Sequence, residues 1–197
     1  MEGRNKMSRT IKSLGGWSTV THEIIHSSEF LKLQDIGGCY QYHREGNALT
    51  HTFLVYLEAQ KMFPNDLMMQ CVALLHDIGK IYTGRKKPMT VINDWEYPNH
   101  NIVGAEMLDA FIDPEYTHFK EMQWFIRNHI KPLFWRNKKL TRDQALKTLT
   151  EHPSGEITAE TFNNLIDLVI CDLQGSIPID YSDTIETINY LRSLRYE

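Results

Sequence analysis

The feature that most constrains this chain is an apolar run from Met68 to Leu75 that ends abruptly in His76-Asp77-Ile78-Gly79-Lys80. Met68, Met69, Cys71, Val72, Leu74 and Leu75 leave no polar face for a surface helix, so the pattern predicts a helix buried on all sides. An adjacent buried His-Asp is costly unless both side chains find partners. Gly79 reads as a helix C-cap, which lets the chain turn sharply and leaves Lys80 near the aspartate. On these residues alone, a solvated His-Asp-Lys helix tip fits as well as a buried site does. The rest of the chain has to decide.

At 197 residues, 42% of them hydrophobic, the chain is long enough for one domain with a substantial core. Residues 1–16 read as a loose basic lead-in ending at Gly15-Gly16, and residues 17–197 as the single domain. A net charge of −4 argues against a broad basic face gripping nucleic acid by its phosphates, so no DNA-specific binding is expected. Cys39, Cys71 and Cys171 are odd in number and form no C-x-x-C pattern; two lie in apolar segments, as reduced core cysteines do. The N-terminal stretch has no apolar h-region, and no apolar run approaches membrane-spanning length. A soluble cytoplasmic protein without a membrane partner is the expectation.

Helical signals dominate. Helices are predicted over Thr21–Leu33, over Ala48–Met62, from an Asp66 N-cap to Gly79, from an Asn99 cap over His100–Ile112, and from Pro114 to Asn128. Thr141 and Thr158 cap two more, over residues 142–151 and 159–174, and Ser182-Asp183 opens a last amphipathic one. Residues 81–98 form a long connection with a short hairpin around Met89 to Ile92. The expected fold is all-α, a compact bundle of about eight helices.

Nine histidines are present, and the question is which of them converge. His51 lies near the start of one predicted helix, His76-Asp77 at the end of another, and Asp172 at the end of a third, shortly before Gly175. Two imidazoles and two carboxylates suit a borderline divalent metal such as manganese, iron, cobalt, nickel or zinc. His100, opening a helix after the long loop, and His129, before Pro132, are candidates for a second metal or for phosphate contacts. Taken singly, His51 reads as a partly buried polar residue and Asp172 as a helix end making local hydrogen bonds. Asp167 competes as a carboxylate but lies roughly 140° around the helix from Asp172. His22, His26, His118 and His152 are assigned structural or surface roles, and His43 stays open.

The order His51, His76-Asp77, Asp172 resembles the H…HD…D signature of the HD superfamily of metal-dependent phosphohydrolases, and Ala73 to Lys80 resembles its central motif. The likeness extends to the HD domains of bacterial CCA-adding tRNA nucleotidyltransferases. His43-Arg44-Glu45-Gly46-Asn47 followed by His51-Thr52 is similar to their H-x-E-G-D and H-T, His100 with Gly104-Ala105 to their H-x-x-x-G-A, and Asp172 to Gly175 to their closing D-x-x-G. Asn47 stands where that branch usually has aspartate, and Ser176 where arginine is common. No nucleotidyltransferase head precedes the domain, so CCA addition is not expected.

The resemblance, which covers roughly residues 28–178, implies hydrolysis of a phosphate ester with His51, His76, Asp77 and Asp172 as metal ligands. One divalent ion, or two, is implied, from among manganese, nickel, magnesium, iron, cobalt and zinc. Asp77 would also orient or deprotonate the attacking water, and Lys80 would neutralise the phosphate as a point charge. Arg85, Lys86 and Lys87 are candidate substrate contacts, with a solvated charged loop as the alternative. The nearest branch implies 2′,3′-cyclic phosphodiesterase and 2′-nucleotidase activity on a nucleotide or RNA end. The alternatives are a nucleoside 5′-monophosphatase, a deoxynucleoside triphosphohydrolase, a cyclic-nucleotide phosphodiesterase, or a non-catalytic module that senses a nucleotide or docks a partner. Lys131, Arg136, Lys138, Lys139 and Arg142 are the one candidate cluster for guiding RNA to the site. Nothing in the sequence sets the oligomeric state.

Overall fold

A computed structural model of the chain describes residues 16–39, 41–87 and 94–195. In chain order its helices are α1 (Gly16–Ile25), α2 (Ser28–Leu31), α3 (Ala48–Met62), α4 (Leu67–Leu75), α5 (Lys80–Thr83), α6 (His100–Glu106), α7 (Phe119–Asn128), α8 (Arg142–Leu146), α9 (Ala159–Gly175) and α10 (Tyr181–Leu194). Short 3-10 turns lie at Lys32–Asp35, Leu108–Ala110 and Lys131–Phe134. Two-residue strands β1 (Arg85–Lys86) and β2 (Trp95–Glu96) pair antiparallel. The fold is all-α.

The predicted buried helix is the centre of the bundle: every residue of α4 from Met69 to Leu75 is buried. Asp66 caps it by accepting the Met69 N–H at 2.9 Å. Gln70, polar yet buried, donates to the Phe63 carbonyl at 2.7 Å and so leaves no unpaired amide in the core. Helices α3, α7 and α9 pack around it. The predicted bounds of α3 hold, and Asn47 Oδ1 accepts the Thr50 N–H at 2.9 Å. An asparagine therefore does the capping work of the aspartate it replaces in the related pattern. Helix α9 starts at its predicted Thr158 cap and buries Phe162, Leu165, Ile166 and Val169. Phe162 stacks on buried Trp135 with planes 8° apart.

Ten α-helical segments appear among the described residues where about eight were expected. The predicted Thr21–Leu33 helix breaks at Ser27, whose hydroxyl donates to Ile24 and accepts from the Phe30 N–H, ending α1 and capping α2. The second extra segment is α5. The helix expected from Pro114 starts only at Phe119, because Asp113 Oδ1 takes the Glu115 N–H in a local turn. The one expected over 142–151 ends at Leu146, beyond which Thr148 Oγ1 donates to the Ala145 carbonyl and receives the Trp135 indole N–H. Helix α6 stops at Glu106, and Asn99 before it makes no side-chain cap; it supplies a left-handed turn at φ 57°. The expected hairpin around Met89–Ile92 and the 1–15 lead-in fall outside the described residues.

Gly79 differs most in its physical reason. Its backbone is ordinary right-handed helix, φ −65° and ψ −17°, so no C-cap requires it. A Cβ there would lie 2.0 Å from the His100 carbonyl oxygen and 2.5 Å from the Gly104 nitrogen. The glycine is needed because the backbone of α6 crosses directly over it.

Candidate metal centre

Close helix packing assembles the site. His51 sits in the first turn of α3 and Asp172 in the last turn of α9, which runs on to Gly175. A Cβ on Gly175 would come within 2.7 Å of the Val55 nitrogen, so the bare glycine lets α9 lie against α3 one turn beyond the two ligands. Asp172 Oδ1 thereby reaches 2.9 Å from His51 Nε2 and 3.7 Å from His76 Nε2. The contact of α6 with Gly79 brings His100 to the other side, and His129 arrives just past the end of α7.

Asp77 is the hinge of the arrangement. Its Oδ2 faces His51 Nε2 at 3.5 Å, His76 Nε2 at 3.3 Å and Lys80 Nζ at 2.5 Å. Its Oδ1 faces His100 Nε2 at 3.3 Å and His129 Nε2 at 3.9 Å. Each imidazole is turned the same way. The Nδ1 atoms of His76, His129 and His100 lie 2.7, 2.7 and 2.9 Å from the carbonyls of Ala73, Ile126 and Tyr97. With Nδ1 engaged by a carbonyl, Nε2 is the nitrogen aimed inward, the one that would bind a metal once it carries no hydrogen. Two such atoms, on His100 and His129, stand 3.3 Å apart.

Electrostatics separates the two halves. Burial opposes charge on His76, but Asp77 and Asp172 outweigh it and raise the imidazolium to about 10. Burial likewise opposes charge on Asp77, yet His76 and Lys80 hold its carboxyl well below the usual range. Asp172 is held low against burial by His51 and His76. Burial pushes His129 down to about 3, helped by the positive charge of His76 and His100. Positive charge is thus favoured between the two carboxylates, while His129 stays a neutral donor.

These side chains lie at ion-pair distance from one another, yet several of their buried atoms lack hydrogen-bond geometry. His51 Nε2, His76 Nε2 and Asp77 Oδ2 are buried and make no hydrogen bond. Buried polar atoms normally have partners, and a divalent cation satisfies imidazole and carboxylate lone pairs together. Two trios, His51-His76-Asp77 and Asp77-His100-His129, have ligand atoms within 4.8 Å of one another, sharing Asp77. The donor set fits a divalent metal, and it has room for two.

A family model for the HD domain matches residues 48–161, more than half of the chain. The chain belongs to the HD domain family. Members of this family are generally metal-dependent hydrolases. No curated protein matches the chain. Nothing among these comparisons carries the likeness to CCA-adding enzymes, which remains a reading of the sequence. Among the described residues, no helix of this HD domain is long and apolar enough to cross a membrane.

Over the centre of the HD domain lies a cavity of about 310 Å³. Asp77, Lys80, His100, His129 and Asp172 line it, with His43 beside them. Its apolar wall comes from Cys39, Tyr42, Trp95, Tyr97, Ile130 and Leu133. Lys80 is almost fully buried and lies 4.6 Å from the centre of the Tyr97 ring, a cation–π contact that fixes its ammonium at the cavity floor.

Some sequence expectations are not brought to the site. Arg85 is on β1, exposed, and pairs with Glu96 at 2.6 Å; it does not line the cavity, whereas Lys87 does. The basic cluster proposed to guide RNA is tied in part into the fold, while its Lys138 and Lys139 stay exposed. Arg136 pairs with Asp183 and Glu186, Lys131 donates to the Thr148 carbonyl, and Arg142 lies over the Phe162 ring and bonds carbonyls at the end of α10. Asp167, the competing carboxylate, faces away and pairs with Arg195 at 3.0 Å.

Sequence reasoning assigned Glu45 no role, although it stood inside the H-x-E-G-N stretch. Its carboxylate is buried, with Oε1 2.8 Å from His43 Nδ1 and 3.0 Å from His51 Nδ1, and Oε2 accepting the Ile177 N–H at 3.0 Å. Burial opposes its charge, but His43 and His51 hold it far below the carboxylate range. His43, Glu45 and His51 also meet the distance condition for a metal trio. Glu45 is already committed to His43 and Ile177, so it acts as a support for His51. Glu45→Gln removes the charge that holds His51 Nδ1–H. It is expected to lower divalent-metal affinity about 10- to 100-fold, measured by titration calorimetry, with the helical spectrum unchanged. Affinity within threefold of wild type would show that His51 needs no such support.

Proposed function

We propose that this HD domain is a metal-dependent phosphohydrolase acting on a nucleotide or RNA-end phosphoester, with 2′,3′-cyclic phosphodiesterase and 2′-nucleotidase activity as the best-supported specificity. The observation that carries the reading is Asp77, one buried carboxylate whose two oxygens face two pairs of inward-turned imidazoles, with Lys80 against it. A divalent ion at this donor set supplies Lewis acidity toward a phosphoryl oxygen and lowers the pKa of water.

The chain's own residues do the rest. His51, His76, Asp77 and Asp172 would hold the ion, and His100 and His129 would offer neutral lone pairs to a second ion or, with Nε2 carrying the hydrogen, hydrogen bonds to the phosphate. Asp77, held ionised, would orient the attacking water by accepting a hydrogen bond from it. Lys80 places a positive charge at the cavity floor against the phosphoryl oxygens. The apolar wall with Tyr42, Trp95 and Tyr97 excludes water and suits the flat face of a base.

The size of the cavity favours a single nucleotide or one chain end over a cyclic dinucleotide. The test is hydrolysis of 2′,3′-cyclic AMP, 2′-AMP, deoxy-AMP, dATP and a 3′,5′-cyclic dinucleotide with manganese, nickel, magnesium or chelator. Turnover of the first two, lost with chelator, is the expected result. Turnover of another member moves the specificity while keeping the centre. Binding without turnover under every metal would leave a nucleotide-sensing module.

A further inference from the structure

The geometry points to His43 as the residue that reads a sugar hydroxyl next to the reacting phosphoester, so that the site accepts ribonucleotides and rejects their deoxy counterparts. This rests on the phosphohydrolase reading above and goes beyond it by assigning the choice of sugar to one side chain.

His43 lies at one end of a row of imidazoles. Its ring centre is 4.5 Å from that of His51, which is 5.6 Å from His76, and His129 and His100 complete the row at spacings of 5.2 and 5.3 Å. His51 and His76 face Asp77 and Asp172, but His43 stands one ring further out, where an atom a few bonds beyond the phosphorus would sit. It lines the same cavity as the centre, together with Cys39 and Tyr42 of its own loop.

The orientation of the ring is set from behind. Nδ1 of His43 is hydrogen-bonded at 2.8 Å to the buried Glu45 carboxylate. Glu45 is anchored in turn by the Ile177 N–H, and the Arg44 N–H donates to the Ile177 carbonyl at 2.9 Å. With Nδ1 so engaged, Nε2 is the free end of the ring, and no described residue bonds it. The side chain keeps 18% of its surface exposed, unlike His51 and His76 at 1%. A held imidazole with one nitrogen open to the cavity is a hydrogen-bonding group waiting for a ligand.

A hydroxyl is the group it suits. An imidazole Nε2 accepts from a hydroxyl when it carries no hydrogen and donates to it when it does, because a hydroxyl is both donor and acceptor. A phosphate oxygen can only accept, and the cavity already offers Lys80 for that purpose. In a ribonucleotide 2′- or 3′-phosphoester the neighbouring carbon carries a hydroxyl; in the deoxy compound it carries hydrogen, which meets neither form of the ring. Sites that hydrogen-bond a substrate hydroxyl reject the analogue lacking it far more strongly than apolar pockets discriminate by size.

The experiment compares kcat/KM for adenosine 2′-monophosphate with 3′-deoxyadenosine 2′-monophosphate, and for adenosine 3′-monophosphate with 2′-deoxyadenosine 3′-monophosphate. Wild type, His43→Leu and His43→Gln are run side by side, and the metal affinity of each is measured by calorimetry. Wild type is expected to favour the ribonucleotide about 100-fold in the pair it hydrolyses. His43→Leu brings that ratio close to one by slowing the ribonucleotide alone, with metal affinity unchanged. His43→Gln, which still donates and accepts, keeps an intermediate ratio and covers the case in which the leucine variant fails to fold. A purely structural His43 would instead lower metal affinity and slow both substrates equally, which overturns the inference. So does a wild type that hydrolyses both members of a pair alike, although the phosphohydrolase reading then stands. Failure of wild type to hydrolyse any phosphoester in the wider panel removes that reading and this one together.

Discussion

Asp77→Asn is expected to lower turnover by about a thousandfold or more while leaving the helical spectrum intact. Asparagine keeps the shape of the side chain and loses the symmetry of its two oxygens. Oδ2 of Asp77 faces His51 and His76, and Oδ1 faces His100 and His129. Whichever way the amide turns, one half of the centre keeps a neutral oxygen and the other receives an NH2 that cannot bind a cation. Lys80, 2.5 Å away and buried, loses its counter-charge as well. Bound metal should fall in step with activity when both are measured on the same preparation by elemental analysis and hydrolysis. A variant retaining a tenth of wild-type turnover with full metal content would show that Asp77 is not the hinge.

Gly79→Ala is expected to be among the most destabilising single-methyl additions in the molecule, at about 3 kcal/mol. The added carbon would meet the His100 carbonyl and the Gly104 nitrogen, which are backbone atoms and cannot rotate aside. Helix α6 must move, and His100 moves with it. For a chain of this size the loss corresponds to a fall in Tm of roughly 6–12 °C. Gly155→Ala is the control. Gly155 has φ +84° with nothing near its missing Cβ, so the substitution costs backbone strain of about 1 kcal/mol and touches no ligand. Thermal unfolding of both variants, with metal titration, checks the pair. Equal losses at the two positions would mean that α6 is not clamped on Gly79.

The two substitutions probe different layers of the same sequence. The Asp77 prediction depends on a residue that the sequence marks, an adjacent His-Asp at the end of a continuous apolar run, which gains its meaning from its order with His51 and Asp172. The Gly79 prediction depends on a contact invisible along the chain. As a sequence signal the glycine looked like a C-cap; only the approach of α6, more than twenty residues on, gives its real reason.

What the sequence determined by itself is what short-range chemistry controls. Caps at Asp66, Thr141 and Thr158 are contacts between residues three apart, and each appears where predicted. The buried helix α4 follows from an apolar run with no polar face. The order His51, His76-Asp77, Asp172 was likewise legible, since residue type and spacing suffice to suggest a ligand set.

The tertiary structure decided everything that depends on which distant backbones touch. It joined Glu45 to Ile177, 132 residues away, and so made a support for His51 and a fixed imidazole of His43, which the sequence left open. It paired Arg85 with Glu96, outside the cavity lining, and Arg136 with α10. It also turned Nε2, rather than Nδ1, of four histidines inward, through carbonyls and a carboxylate that no spacing rule specifies. Local hydrogen bonds are set by neighbours in the chain. A metal centre is set by how closely helices approach, and here two glycines without side chains, Gly79 and Gly175, allow that approach.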